Sequence, residues 1–218
     1  MIVFFDSHLK CLRYTIEYLN LLNQLPQLPA PKNLNIEKVY FSRVAFQLRK
    51  DCNEQDVENC FKKQGFTIIY PEKLDFLTAL AILQNCKVFA ATDGSIAHNL
   101  IFCKNKITAI ICRKSRNFTG YQITINNLKE ANVFYIDTAF SPFADWNKGW
   151  VGGPFFLYET KYLRRYFGLP PKKIFPFWKF FKYCLFFVDS QFFVWSHPLR
   201  AKLQIGTRLR KLFKIPKR

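Results

Sequence analysis

Apolar residues fall into two rhythms along the middle of this chain. Short runs rich in β-branched and aromatic residues recur at Val39-Tyr40-Phe41 and at residues 66–70, 88–91, 107–112 and 133–136. They are too short for helices and predict five strands. Between them the spacing becomes helical. Asn53 can cap a helix over 54–64, with Asp56 at the capping-box position and Gly65 ending it. Asp75 can cap a second, whose Leu77, Leu80, Ala81 and Gln84 share a helical spacing. After the third run the chain passes through Thr92-Asp93-Gly94-Ser95, and Ile96, Ala97, Leu100, Ile101 and Cys103 then recur at roughly helical intervals. That pattern predicts strand, glycine turn and helix, with Ser95 as cap. Upstream, Leu9, Leu12, Ile16, Leu19 and Leu22 would share one face of a helix over 7–24. Residues 24–33 carry Pro26, Pro29 and Pro31 and read as a linker, so the globular part is expected to begin near Ile36.

Strands alternating with helices at short intervals predict an α/β fold, a Rossmann-like parallel sheet with helices on both faces. Right-handed crossovers bring all strand C-termini to one edge, where open α/β sheets bind ligands. Arg43 and Arg49 follow the first strand, Glu72 the second, Gly94 and Ser95 the third, and Arg113, Lys114 and Arg116 the fourth. Cations and a glycine turn that can expose backbone N–H groups therefore converge on one edge, an arrangement suited to phosphate. Taken singly, Gly94 could simply turn the chain and the arginines could be solvated surface.

Charge adds a second region. The net charge is +18, yet residues 161–218 hold 15 Lys and Arg against the single acid Asp189, so +14 of it lies in this segment. From 175 to 195, eleven of 21 residues are aromatic, and beyond them Leu199, Leu203, Leu209, Leu212 and Phe213 alternate with Arg and Lys. A basic, aromatic, helical C-terminal tail over 175–218 is expected, suited to an anionic membrane surface. Nucleic acid is the less favoured partner, because no helix-turn-helix, zinc-finger or RNA-recognition signature accompanies the tail. No apolar stretch is long enough to span a bilayer, and Asp6 interrupts the apolar N-terminus with no cationic region before it, so neither a span nor a signal peptide is expected. The seven cysteines include no C-x-x-C pair, which favours a reducing compartment and offers no usual zinc spacing. Four segments follow: a helix and Pro-rich linker (1–35), a Rossmann-like ligand-binding domain (36–140), an aromatic, glycine-broken excursion (141–174) and the tail (175–218).

Several motifs occur in an order that resembles the glycosyltransferase family 61 domain, specifically its C-terminal half: VYFSR (39–43), Arg49, Asn53-Glu54, QGFTIIYPEKLDF (64–76) and KVFAATDGSIAHNLIF (87–102). The family includes bacterial capsular and lipopolysaccharide enzymes. The resemblance implies a GT-B arrangement of two Rossmann-like domains, and inverting, sugar-nucleotide-dependent transfer in surface-polysaccharide synthesis at the inner face of the membrane. By position, Arg43 and Arg49 would lie near the donor phosphates, Gly94 and Ser95 would present N–H groups to the diphosphate, Asn99 would anchor the first helical turn, and Glu72 would lie toward the nucleoside. No Asp-x-Asp occurs, which argues against the metal-dependent GT-A design; no cofactor is expected beyond the nucleotide-sugar donor. Asp93 departs from the family pattern, and would point away, pair with a nearby arginine or weaken donor binding. Asp93 and His98 are the titratable groups beside the turn and the candidate catalytic residues. With about 35 residues before the first strand, an N-terminal half or partner subunit would be needed to complete a GT-B enzyme. The alternative is a non-catalytic, truncated relative acting as a membrane- or partner-binding module.

Overall fold

A computed structural model describes residues 4–5, 12–13, 20–22, 24–45, 51–114, 120–140, 142, 155–170 and 175–195. The chain separates into two compact units, residues 1–175 and 176–218.

In the first unit β1 (Phe4–Phe5) pairs antiparallel with β2 (Leu12–Arg13). Of the helix expected over 7–24, Leu12–Arg13 is strand, 20–22 is helical, and residues 7–11, 14–19 and 23 lie outside the described residues. The Pro-rich segment that follows is held down rather than loose. Gln84 accepts from the Leu28 N–H at 2.9 Å and donates to the Pro26 carbonyl at 3.0 Å, while the Asn85 amide donates to the Leu28 carbonyl at 2.9 Å. Prolines cannot supply ladder donors, so side-chain amides tie the segment instead.

The expected alternation then appears. In chain order come β3 (Lys38–Phe41), β4 (Asp51–Cys52), α1 (Glu54–Lys63), β5 (Thr67–Ile69), a 3-10 turn (Pro71–Lys73), α2 (Phe76–Asn85), β6 (Val88–Thr92), a 3-10 helix (Ala97–Phe102), β7 (Thr108–Arg113), α3 (Gly120–Leu128), β8 (Asn132–Asp137), β9 (Phe155–Phe156) and α4 (Lys161–Tyr166). Five strands form one parallel sheet in the order β5-β3-β6-β7-β8. The chain first moves one way from β3 to β5 and then crosses to β6 and beyond, so the switch in direction lies between β3 and β6.

Alternate side chains explain why helices cover both faces. Val39, Phe41, Phe89, Ala91, Ala109 and Ile111 pack with Ile82 and Leu83 of α2, Leu100 of the 3-10 helix and Ile125 of α3. Tyr40, Ala90, Ile110 and Cys112 point the other way and pack with Val57, Cys60 and Phe61 of α1 and Leu163 of α4. Tyr40 and Phe61 stack at 4.5 Å between ring centroids.

Three local expectations change. Asn53 sits at φ 64° and makes no cap to α1; its amide donates instead to Asp56 at 3.0 Å and to the Leu157 carbonyl at 2.8 Å. The helix expected after Ser95 is the six-residue 3-10 helix, flanked by Ile96 without a side-chain cap. Helix α3 had no counterpart in the sequence reading, its Ile123, Thr124 and Ile125 resembling strand residues. Residues 141, 143–154 and 171–174 of the expected excursion lie outside the described residues. In the second unit α5 (Phe177–Trp195) is helical, and the basic segment 196–218 of the expected tail lies outside the described residues. Among the described residues no helix is long and apolar enough to cross a membrane.

Candidate functional site

Arg43, Pro71, Glu72, Ser95, Ile96 and Asn99 line a cavity of about 230 Å³ at the C-terminal edge, where β5, β3 and β6 end. Four of the six expected donor-binding residues therefore meet in one pocket at the switch in strand order. A fifth, Gly94, is adjacent, and Arg49 lies outside the described residues.

Each wall has a local cause. Ser42 continues β3, its N–H donating to the Ile69 carbonyl at 2.8 Å. Its hydroxyl donates to Glu58 at 2.7 Å and accepts from the Val44 N–H at 3.1 Å, which bends the chain around Arg43. Pro71 starts the 3-10 turn that carries Glu72. On the third side the Asp93 N–H donates to the Cys112 carbonyl at 2.8 Å, ending β6 in register, and Gly94 follows at φ 116°. That angle suits glycine. The Asn99 amide donates to the Ile96 carbonyl at 2.9 Å.

Behind this pocket lies a charge cluster that the motifs had only partly indicated. Asp51 of β4, its side chain 8% exposed, receives the Lys114 ammonium at 3.0 and 3.1 Å, and Arg43 Nη1 lies 3.9 Å away. A Cβ built on Gly94 would lie 3.8 Å from the Lys114 nitrogen, so the glycine turn and the ammonium are neighbours. Two carboxylates of α1 are buried beside them. Glu54 accepts from the Tyr40 hydroxyl at 2.9 Å and from the Arg43 N–H at 3.2 Å. Glu58 accepts from Ser42, from Gln55 at 2.6 Å and from the Tyr70 hydroxyl at 3.0 Å. Burial pushes the Glu54 carboxyl up to about 7, with the Asp51 charge adding and the Arg43 N–H, Tyr40 and Lys114 opposing.

Asp93 is also buried, and burial raises its pKa. Lys114 opposes that rise most, followed by the Gly94 N–H, His98 and Arg113. The largest opposing charge is a lysine, whereas pairing with an arginine was one of the three expected outcomes. Burial lowers the pKa of His98 against the pull of Asp93, so the imidazole is neutral near pH 7. Among the described side chains, four buried atoms lack a hydrogen-bond partner: Glu54 Oε2, Thr92 Oγ1 and His98 Nε2, of residues at or beside this edge, and Gln122 Oε1 of α3. No group of three His, Cys, Asp or Glu gathers as a metal-ligand set among the described residues.

A phosphate-friendly pocket on a parallel α/β sheet can serve many enzymes, and the comparison with known families narrows it. The family model described as Glycosyltransferase 61 matches residues 1–111, from β1 through most of β7. The chain belongs to the glycosyltransferase 61 family. No curated protein and no solved structure matches it. Membership in glycosyltransferase 61 carries glycosyl transfer as the general activity and implies a nucleotide-sugar donor. The matched span includes Arg43, Glu72, Asp93, Gly94, Ser95 and Asn99, but ends before Lys114. Among the residues the motifs failed to single out, Asp51 had no readable signal, because its strand pairs with β9 more than a hundred residues away. Glu58 carried a weak one, a carboxylate four residues after Glu54 on a helix with an otherwise apolar inner face.

Proposed function

We propose that this glycosyltransferase 61 member holds the diphosphate of its nucleotide-sugar donor in the switch-point pocket. The observation that carries this reading is the pocket itself, with Arg43, Glu72, Ser95 and Asn99 around one cavity and the Lys114 ammonium behind the Gly94 turn. Arg43 meets the phosphates, with Arg49 proposed alongside it. The Gly94-Ser95 turn, at a φ that favours glycine, presents its backbone N–H groups to the diphosphate, and Glu72 accepts from nucleoside hydroxyls. As the bond from the anomeric carbon to the phosphate oxygen breaks, its electron pair leaves with the nucleoside diphosphate. Fixed cations facing that oxygen stabilise the charge in the transition state.

In an inverting transfer the acceptor hydroxyl attacks from the opposite side and loses its proton to a base. Asp93 is the proposed base, since a carboxylate made more basic by burial accepts a proton more readily near neutral pH. Neutral His98 would orient or relay. A GT-B pairing with an N-terminal half, and action in capsular or lipopolysaccharide synthesis, are the finer parts of the proposal and rest on the motif resemblance.

Attachment to the inner membrane face is proposed through the second unit. In α5 Trp178, Phe181, Leu185 and Val188 recur at intervals of three and four residues and are 78, 52, 57 and 65% exposed. Lys179 and Lys182 lie among them, and further Lys and Arg follow the helix. Exposed rings with cations suit an anionic headgroup layer, each cation near the surface contributing about 1 kcal/mol.

Isothermal titration of the full chain with UDP-, GDP-, CDP- and dTDP-sugars tests the donor site. Binding of one donor class, weakened at least about tenfold in Arg43→Ala, is the expected result. Absence of binding by all four, or an unchanged affinity in Arg43→Ala, removes the reading. Co-sedimentation with phosphatidylglycerol and with phosphatidylcholine vesicles tests the tail. Equal retention on both vesicles excludes the anionic-surface role.

A further inference from the structure

A second, larger cavity lies away from the donor pocket. Its volume is about 430 Å³, and it runs along the outer side of edge strand β8, walled by Phe134 and Asp137 of the strand and by Tyr162, Arg165 and Tyr166 of α4. The aromatic residues there are not core: Phe134, Tyr162 and Tyr166 are 39, 53 and 37% exposed. The Phe134 and Tyr166 rings lie 5.3 Å apart at 59°, which fixes one wall, and Lys161 sits 5.1 Å above the Tyr162 ring centre. Asp137 is paired with Arg113 at 3.0 Å yet its side chain is 53% exposed, leaving acceptor sites open to solvent.

We propose that this groove is a binding site for an oligosaccharide chain, the acceptor glycan at some distance from its reacting end. The proposal rests on the glycosyl-transfer reading above for its purpose, and on the groove's own chemistry for its ligand. A pyranose has one face of C–H groups and a rim of hydroxyls. Ring faces carry negative potential that attracts the C–H face, while a carboxylate, a guanidinium and two phenols satisfy the rim. A purely apolar partner would cover Arg165, the phenols and the solvent-facing acceptor sites of Asp137 without matching their polar atoms.

An added peptide strand is the competing occupant of any sheet edge. Here the chain has already used the C-terminal end of that edge. The Tyr158 N–H donates to the Thr138 carbonyl at 3.0 Å, the Thr160 hydroxyl donates to the Asp137 carbonyl at 2.6 Å, and Ala139 bridges Leu157. What stays open is a trough of rings beside the strand, which favours a sugar over a strand.

Position supports the same assignment. Arg113 is in register with Asp137, and Cys112 with Thr92, so the upper end of the groove and the Asp93 turn share one edge. They are two strand spacings apart, about 10 Å. A chain lying along the rings and leaving at Asp137 would pass Arg113 and present its end toward Asp93.

Saturation-transfer NMR and calorimetry of the full chain with chitohexaose, cellohexaose, xylohexaose and mannohexaose test the proposal. Wild-type protein is expected to bind at least one of them. Tyr162→Ala combined with Tyr166→Ala is expected to weaken that binding about tenfold or more, as loss of stacking on two rings requires. Tyr162→Phe, which keeps the ring, should retain most of it. UDP-, GDP-, CDP- and dTDP-sugar affinities should be unchanged in the Tyr variants and weakened in Arg43→Ala, so the two sites fail separately. The idea is overturned if wild type binds none of the four hexasaccharides, if the double variant binds them as wild type does, or if the double variant instead abolishes a self-association of the wild-type chain, which would make the groove a protein interface.

Discussion

The two faces of the central sheet are built from the same strands but differ in kind. One, covered by α2, the 3-10 helix and α3, is a continuous apolar layer around Phe41, Phe89 and Ile111. The other, covered by α1 and the 155–163 segment, has an equally tight aromatic centre at Tyr40 and Phe61, yet it buries Glu54 and Glu58 at its upper end. Buried carboxylates cost folding free energy even when bonded. Both bond to the turn that presents Arg43, or to the strand end before Pro71, so that cost lies under the pocket walls. One face of the sheet holds the molecule together, and the other also aims the site.

The comparison can be broken by substitution. Phe89→Ala on the apolar face should cost about 3 to 5 kcal/mol in urea unfolding, with no loss of donor affinity in the molecules that remain folded. A selective loss of donor affinity at unchanged stability would dissolve the distinction. Lys114→Ala should cost about 3 kcal/mol by leaving Asp51 buried without its main cation, and adding Asp51→Asn should restore most of that. Donor affinity should stay low in both variants. If the double variant regains donor binding, Lys114 serves the fold alone.

Glu54 sharpens the comparison through pH. Its carboxyl ionises near 4.5 in the unfolded chain and near 7 in the folded one. Between those values the folded protein keeps a proton that the unfolded chain releases. Stability from this group is therefore complete below about 4.5 and falls as pH rises to about 7, by up to about 3 kcal/mol. Unfolding measured from pH 4 to 8 should show Glu54→Gln losing that slope, and an unchanged slope would remove Glu54 from its cause. The smallest effect is expected of Tyr70→Phe, which removes one hydroxyl bond to Glu58 and should cost about 1 kcal/mol, with a modest weakening of donor binding through the Pro71-Glu72 wall.

How much of this was legible depended on the distance between interacting residues. Strands β3, β5, β6, β7 and β8 were readable because each carries its own apolar run, and the central β3, β6 and β7 bury both faces. Their alternation with helices announced the parallel sheet, and the strand-end rule brought Arg43, Glu72 and Ser95 together from three separate stretches, while Asn99 came from the family resemblance. Asp51 was not readable, since its position comes from Phe155 across the chain. The Asn53 cap failed because Asn53 bonds to Leu157, an equally remote partner. Helix α3 was hidden by β-branched residues whose helical state is decided by packing of Ile125 rather than by propensity. The Pro-rich segment read correctly as irregular, yet nothing local announced the amides of Gln84 and Asn85 that hold it.

The short parallel pairing of Asp51 with Phe155 has a temporal side. The ribosome releases β3, β5, β6 and β7, and with them the walls of the pocket, well before residue 155 emerges. A nascent chain can thus close its sheet while β4 still lacks a neighbour and Lys114 has no fixed counter-ion. The acid that meets Lys114 thus sits on a strand whose ladder partner is among the last parts of the first unit to be made.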